Sequence, residues 1–296
     1  MNRVSIVIPN WNGRELLEKN LPSVIKASNY PGNRITEIIV VDDKSADDSV
    51  SYLQKEYADK IKLIKHTKNR GFSCAINTGV RAAKGDIVVS LNTDVSPKEN
   101  FLKSVLSLFR DPDVFAVSFH EPGRSSVRGV FKDGFIVHEP NKEGDIVQDT
   151  FWVNGGTGAY RRSVWIALGG MDEKLLSPLY WEDVDLGYRA LKRGYRLLWD
   201  PNSIVHHESE STTKKLPKKY LQRIQERNHL LFIWKNLTSQ NLLRRHLAGL
   251  IKRIVTGPGY IRIVFMALSK FGVLLKQRAR EKKEARISDE AIFAKY

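Results

Sequence analysis

Four short runs govern what the opening third of this chain can become: "RVSIVI" (3–8), "EIIVV" (37–41), "IKLI" (61–64) and "DIVVSL" (86–91). Each is rich in aliphatic, largely β-branched residues and bounded by polar turns, which predicts strands buried on both faces. Between them Leu17, Leu21 and Val24 keep helical spacing, and amphipathic segments recur near 46–57 and 72–83. Strands that alternate with helices need crossovers, and crossovers need a mostly parallel central sheet flanked by helices. The fold class read from this rhythm is α/β.

Beyond Asp111 the rhythm breaks. Segment 116–150 is rich in Gly, Pro and charge, with strands expected around "AVSF" and "GVFKDGFIVH", so it reads as an inserted hairpin or a mobile loop. A helix follows near 162–168, and a firmer one from Glu182 to Lys192 has Val184, Tyr188 and Leu191 as its buried face. "YRLLWDP" (195–201) reads as a strand stopped by its proline. From about Thr212 the pattern is helical and basic. "LPKKYLQRIQERNHLLFIWKNL" is one helix and "NLLRRHLAGLIKRIV" another, with Leu247, Leu250, Ile251 and Ile254 in register. "GPG" (257–259) interrupts, and a third pattern then sets Tyr260, Ile263, Val264, Ala267, Phe271 and Leu274 on one face. Two regions are expected, 1–211 and 212–296, the first divided into halves of about 1–115 and 116–211.

The net charge of +15 sharpens that division. Through Ser211 there are 28 Lys plus Arg and 28 Asp plus Glu; from Thr212 onward there are 20 and 5. The basic excess lies wholly in the last 85 residues, so that region faces something anionic. A nucleic acid would satisfy the charge alone, whereas apolar faces interleaved with the basic residues suit an anionic membrane surface better. No uncharged stretch approaches the roughly 18 apolar residues of a spanning helix. The single cysteine, Cys74, excludes an internal disulfide and a thiolate zinc cluster, and suits a reducing cytosol. Met1 leads straight into an apolar strand without a basic leader and cleavage site. The expected location is cytoplasmic and peripheral, on the inner face of the cell membrane.

Open α/β sheets bind ligands beyond the carboxyl ends of their strands. "PNWNG" follows the first strand and lacks the G-x-G-x-x-G of a dinucleotide site. "DDKSADDS" follows the second, with four carboxylates in seven residues. Ser45, Asp47 and Asp48 suit a helix cap, whereas the adjacent Asp42 and Asp43 repel one another unless a ligand or backbone donor intervenes. "LNTD" follows the fourth, where Asn92, Thr93 and Asp94 read either as a turn or as an oxygen site for Mg²⁺ or Mn²⁺. Farther on, "WEDVDLG" sets Glu182 and Asp183 at a helix start and spaces Asp185 and Arg189 as an i, i+4 pair. "IVHHESEST" adds a histidine pair, His206 and His207.

Read in order, "VSIVIPNWNG", "VVDDKSADDS", "NRGFSCAINTGVRAAKGDIVVSLNTD", "GGTGAYRRSVWIALGGMDE" and "WEDVDLGYRALKRGYRLLWDP" resemble the family 2 glycosyltransferases of the GT-A fold. The likeness covers roughly residues 3 to 211, and N-x-D in place of D-x-D resembles the rhamnosyltransferase-like branch. It implies a GT-A catalytic domain over 1–211, with a nucleotide-sugar donor in the first half and a glycan or lipid-linked acceptor in the second. Pro9, Asn10, Asp43, Asn69, Gly71, Asn77, Asn92 and Thr93 would border the donor, with Asp43 on the nucleobase. Asp94 and His206 would hold the divalent ion, Mn²⁺ or Mg²⁺, on the diphosphate. Asp183 would be the general base of an inverting transfer, supported by Trp152, Gly155, Gly156, Trp181 and Glu182, with Tyr180 as a further aromatic platform. The resemblance also implies work in cell-surface polysaccharide synthesis. A two-carboxylate glycoside hydrolase is the rival enzyme class, and it gives no reason for the strand-end "DD".

Overall fold

The computed structural model describes residues 3–208 and 217–296. The expected boundary at Ser211 and Thr212 lies outside them. The first half contains β1 (Val4–Asn10), α1 (Arg14–Ser28), β2 (Ile35–Asp42), α2 (Ser49–Glu56), β3 (Lys62–Lys65), α3 (Phe72–Ala82) and β4 (Ile87–Leu91). There follow β5 (Val95–Pro97), α4 (Val105–Leu108), β6 (Val114–His120), β7 (Val127–Lys132), β8 (Phe135–Pro140) and β9 (Gln148–Asp149). Next come β10 (Thr157–Arg161), α5 (Arg162–Leu168), α6 (Glu182–Lys192) and β11 (Arg196–His207). Five helices close the chain: α7 (Lys218–Asn236), α8 (Gln240–Thr256), α9 (Ile261–Leu268), α10 (Phe271–Glu284) and α11 (Asp289–Lys295).

The main sheet runs β3-β2-β1-β4-β10-β6-β11-β5, with β9 also on β11. The expected parallel pairing holds from β3 to β4; β10 then enters antiparallel to both neighbours, and β6 and β11 are parallel again. Alternating side chains divide the core between the two faces of this mixed sheet. Ile6, Val40 and Val89 pack with Leu17, Leu21 and Phe101, whereas Val7, Ile39 and Val41 pack with Ile76 and Val80. Burying each such side chain contributes roughly 1.5–3 kcal/mol. Because β2 and β4 flank β1 on opposite sides, chain crossovers diverge there, and it is beyond strand ends at such a point that open α/β sheets bind ligands.

Three sequence expectations need correction. β11 does not stop at Pro201: its pairing with β6 shifts register between Asp200 and Ile204, so proline falls at an irregularity where no ladder bond is lost, and the strand continues onto β5. On α8 the buried stripe is Leu242, His246 and Leu250, while Leu247 and Ile251 point outward. The third pattern is broken in two, since the segment through α9 and the following α10 meet at 74°. Ile263, Ala267 and Leu274 turn inward, whereas Phe271 is exposed.

Segment 116–150 contains the hairpin β7–β8, and the last helices hold it. His246 Nδ1 donates to the Gly134 carbonyl at 2.7 Å, and His229 Nε2 donates to the Ile136 carbonyl at 2.7 Å. Gly249 lies against the hairpin turn so closely that a Cβ there would overlap the Asp133 carbonyl. The apolar cluster under α3, α5 and α6 also takes in Leu230, Leu231, Phe232 and Ile233 of α7. The body and the helices after residue 217 therefore share a core.

Candidate active site

The turn after β2 is built by its own acids. Asp42 accepts from Asn10 Nδ2 at 2.9 Å and from Ser45 N at 3.1 Å; Asp47 accepts from Arg14 N at 3.0 Å and Ser49 N at 3.1 Å, serving the starts of α1 and α2 together. Asp43 escapes repulsion from Asp42 by turning to the next loop. There it accepts from Gly71 N at 2.7 Å, from Arg70 N at 2.9 and 3.0 Å, and lies 2.7 Å from His66 Nδ1. It thus shapes the stretch that starts α3, where Gly71 sits at a left-handed φ of 85° and Asn69 is exposed.

Burial corrects one of the expected donor contacts, Asn77, and restricts another, Asn10, to its side-chain oxygen. Asn10 is 1% exposed and its amide is committed to Asp42 and Ser45, leaving half-buried Pro9 nearer the surface of that strand end. Asn77 faces the core: its amide donates to the Met171 carbonyl and Glu173, and its oxygen accepts from Trp165 Nε1 and Met171 N, all within 3.0 Å. Asn77 has no polar atom left for a ligand, whereas Asn10 Oδ1 lies close to Gly13 without a hydrogen-bond partner.

The turn after β4 is tied to the second half of the chain by two glycines. Ser90 Oγ donates to the Gly155 carbonyl at 2.5 Å, and Asn92 N donates to the Gly156 carbonyl at 3.0 Å. A Cβ on Gly156 would overlap the Asn92 amide, so only glycine lets these segments meet. On the same dipeptide, Gly155 N donates to Asp183 Oδ2 at 3.2 Å, and Val184 N donates to Asp183 Oδ1 at 2.8 Å. One dipeptide therefore joins Asn92 to Asp183, 91 positions apart in sequence. Thr93 is buried beside Gly13, and its carbonyl accepts from Asn20 Nδ2 at 3.0 Å, which fixes the turn to α1.

Asp94 faces the end of β11. His207 Nε2 is 3.3 Å from Asp94 Oδ1, and His207 Nδ1 is 3.1 Å from Glu121 Oε2. His206 is exposed, because consecutive strand residues point to opposite faces. This corrects the expectation that the first histidine of the pair shares a site with Asp94. Burial draws the His207 pKa down, but hydrogen bonds to Asp94 and Glu121 outweigh it and carry it to about 9. Burial likewise opposes the charge on Glu121, yet His207 and Thr157 hold its carboxyl below the ordinary range. The sequence reading missed Glu121; its signal was an acid directly after a buried strand, "AVSFHE".

Donors 3.3 Å apart suit a divalent ion, whose cis ligands in octahedral geometry stand about 3 Å from one another. Among the described residues no group of three or more His, Cys, Asp or Glu is arranged to hold an ion alone. An ion at Asp94 and His207 would complete its shell with phosphate and water oxygens, which is the habit of Mg²⁺ and Mn²⁺.

The approach to α6 is strained. Tyr180 and Trp181, neither of them glycine, adopt φ of 72° and 74°, a conformation costing of order 1–3 kcal/mol per residue. α7 holds it in place: Asn228 Nδ2 donates to the carbonyls of Leu176, Leu179 and Tyr180, and His229 stacks on Trp181 at 4.1 Å and 4°. Phe232 adds a second stacked ring. Trp181 is thus largely spoken for by α7, and half-buried Trp152 packs against His138 at 5.4 Å. Asn228 and His229 also escaped the sequence reading, although two polar residues before "LLFIW" in an otherwise apolar helix face were a signal. Beneath the strained turn, Glu182 is buried with Oε2 unpartnered. Burial, then the charges of Asp183 and Asp185, push its pKa well above the carboxylate range; burial also raises that of Asp183.

A parallel β3-β2-β1-β4 sheet joined by antiparallel β10, with an acid after β4 and a carboxylate at the start of α6, is the arrangement of a GT-A, or nucleotide-diphospho-sugar transferase, fold. The crystal structure of GalNAc-T7 with UDP, GalNAc and Mn²⁺ resembles it with a TM-score of 0.65 at 18% identity, covering 81% of this chain and 49% of that one. The chain belongs to glycosyltransferase family 2: the model of "Glycosyl transferase family 2" matches residues 5–166. The pre-mycofactocin glycosyltransferase of Mycobacterium tuberculosis is 30% identical over 216 residues, which are 69% of this chain and 42% of that relative. The chain spans less than half of that relative's length. The O-antigen chain rhamnosyltransferase WbaN of Salmonella anatum is 24% identical over 230 residues, 74% of this chain and 70% of its own.

Proposed function

We propose that the chain transfers a sugar, a hexose or rhamnose, from a nucleotide-diphosphate donor to a hydroxyl of a glycan or lipid-linked acceptor, with inversion. The observation that carries this reading is the Gly155–Gly156 bridge, which sets the Asn92–Asp94 turn and Asp183 on either side of one dipeptide. An in-line displacement needs that division, with a base on the acceptor side and charge stabilisation on the leaving side. Asp183, its carboxyl held by Gly155 N and Val184 N, takes the proton of the acceptor hydroxyl. Asp94 and His207 would hold Mn²⁺ or Mg²⁺, which would supply positive charge to the departing diphosphate. Asp43 and the loop it orders border the nucleobase, with Pro9, Asn69 and Gly71 lining the approach. Trp152, Trp181 and Glu182 support the acceptor side. The O-antigen relative supports a role in cell-surface polysaccharide synthesis, and the basic residues after 217 support work at the cytoplasmic face of a membrane.

Calorimetric titration of UDP, GDP and dTDP, with and without Mn²⁺, tests the donor half. Asp94→Ala and His207→Ala should each lose metal-dependent binding by more than about tenfold, the typical cost of removing a metal contact, while His206→Ala binds as the parent does. Equal loss in all three variants would sink the assignment of His207. Release of sugar from a glycan with no nucleotide present would favour the hydrolase instead.

A further inference from the structure

The helices after residue 240 have two apolar faces, and the protein covers one of them. Leu242, His246 and Leu250 of α8, Ile263 and Ala267 of α9 and Leu274 of α10 are buried. Opposite them Leu247, Ile251 and Val255 form an i, i+4, i+8 stripe on α8, exposed by 58%, 54% and 72%. Ile261, Phe265 and Leu268 repeat the stripe on α9, with Phe265 64% exposed, and Phe271 and Leu275 continue it on α10. A helix lying on a protein in water turns a polar face outward, so an outer face of this kind marks an interaction surface.

We propose that this outer face beds into an anionic lipid surface, with α8, α9 and α10 lying in the plane of the interface. The proposal rests on the membrane reading above and adds the face that makes contact. Charge identifies the occupant. Residues 240–280 contain nine Lys and Arg and no Asp or Glu. Arg244, Arg245, Lys252, Arg262 and Lys276 are exposed among the apolar residues, the pattern of a helix that inserts leucine and phenylalanine between acyl chains while its cations meet lipid phosphates. A second copy of the chain is disfavoured, because a two-fold interface would set this cationic face against itself. A spanning role is disfavoured too. Among the described residues no single helix is long and apolar enough to cross a membrane, and the bent pair around Ser269 turns by 74°.

These helices pack on the segment before the strained turn. Lys270 Nζ, at the start of α10, donates to the carbonyls of Lys174 and Leu175 at 2.9 and 2.8 Å, and α7, against which α9 and α10 pack, holds the carbonyls of the turn that carries Trp181 through Asn228. A face bedded in lipid would thereby hold the acceptor half close to the bilayer, as a lipid-linked acceptor requires.

The test is flotation of the full chain with phosphatidylcholine vesicles, with and without phosphatidylglycerol, at low and high salt. The parent should bind the phosphatidylglycerol vesicles, more weakly at high salt. Ile251→Glu combined with Phe265→Glu should lower that binding about tenfold or more and leave the melting temperature unchanged, since both side chains are exposed. A parent indifferent to vesicles would overturn the membrane reading itself. Parent binding with undiminished binding of the double variant would overturn the choice of face alone. A parent dimer in sedimentation that the double variant dissolves would assign the face to a second copy and overturn the proposal.

Discussion

Asp183 and Glu182 are adjacent carboxylates with different surroundings. Asp183 accepts two backbone N–H groups, whereas Glu182 is buried with one oxygen unpartnered. Backbone donors favour a charged carboxylate, and burial without partners favours a neutral one. Asp183→Asn should therefore bind nucleotide as the parent does and lose about 10²–10⁴ in turnover, the range for a general base. Glu182→Gln copies the protonated side chain and should keep most of the rate. Steady-state kinetics on both variants reads the contrast, and similar losses would refute it. The pH dependence follows from the raised Asp183 pKa: a base acts only when deprotonated, so the acid limb of kcat/KM should lie above the ordinary carboxylate range. A raised folded pKa at Glu182 means stability that is present at low pH and lost as pH rises. Glu182→Gln should accordingly melt increasingly higher than the parent as pH increases.

α6 is positioned by charge from α7 and the segment before it. Asp185 accepts from Arg189 Nε at 2.8 Å, the pair expected from spacing, and also from Lys235 Nζ at 2.9 Å and Asn236 Nδ2 at 2.7 Å. Lys235 reaches Asp172 as well, at 2.8 Å. The lysine is buried between two carboxylates, so Lys235→Met leaves uncompensated charge and should cost about 3–5 kcal/mol, read from urea unfolding. Burial opposes ionisation of Asp172 and Asp185, yet Lys235 and Arg189 hold both below the usual carboxylate range. Their stabilisation is complete above the unfolded value near 4 and falls away as pH drops through the folded values. The parent should lose stability steeply with acid, and Lys235→Met less so. Parallel pH profiles for the two proteins would contradict this account.

At the scale of the molecule, the last helices are part of the catalytic body's support. Lys192, at the end of α6, is buried against Asp289 of α11 at 2.7 Å, and Asp289 also accepts from Tyr188 Oη at 2.6 Å and from the backbone of Thr238 and Ser239. Arg193 pairs with Glu281 and Glu284 of α10. Deleting everything after residue 240 would strip the core and these partners at once, so loss of membrane binding in such a truncation would carry no meaning. Removing α11 alone leaves Lys192 buried without its carboxylate. That truncation should unfold at lower temperature and lose turnover, whereas the exposed pair Ile251 and Phe265 can be changed without harm to the fold.

The parallel start of the sheet and the boundaries of α6 were legible because they rest on local periodicity, and Asp43 and Asp94 stood out as acids placed after strands. Distances along the chain carried none of the rest. His207 rather than His206 faces Asp94 because β11 passes its proline and continues onto β5, a matter of register between strands far apart in sequence. Asn77 has the same residue type and neighbourhood as a ligand contact, and the packing of α3 against 165–173 turns it into the core. The apolar residues after 240 were visible as amphipathic helices, but a helix with two apolar faces does not announce which is covered. By itself the sequence determined the α/β rhythm, the acids at the strand ends and the basic excess of the last third. Only tertiary packing decided which side chains meet across the two glycines, because burial and pairing depend on neighbours from the whole chain.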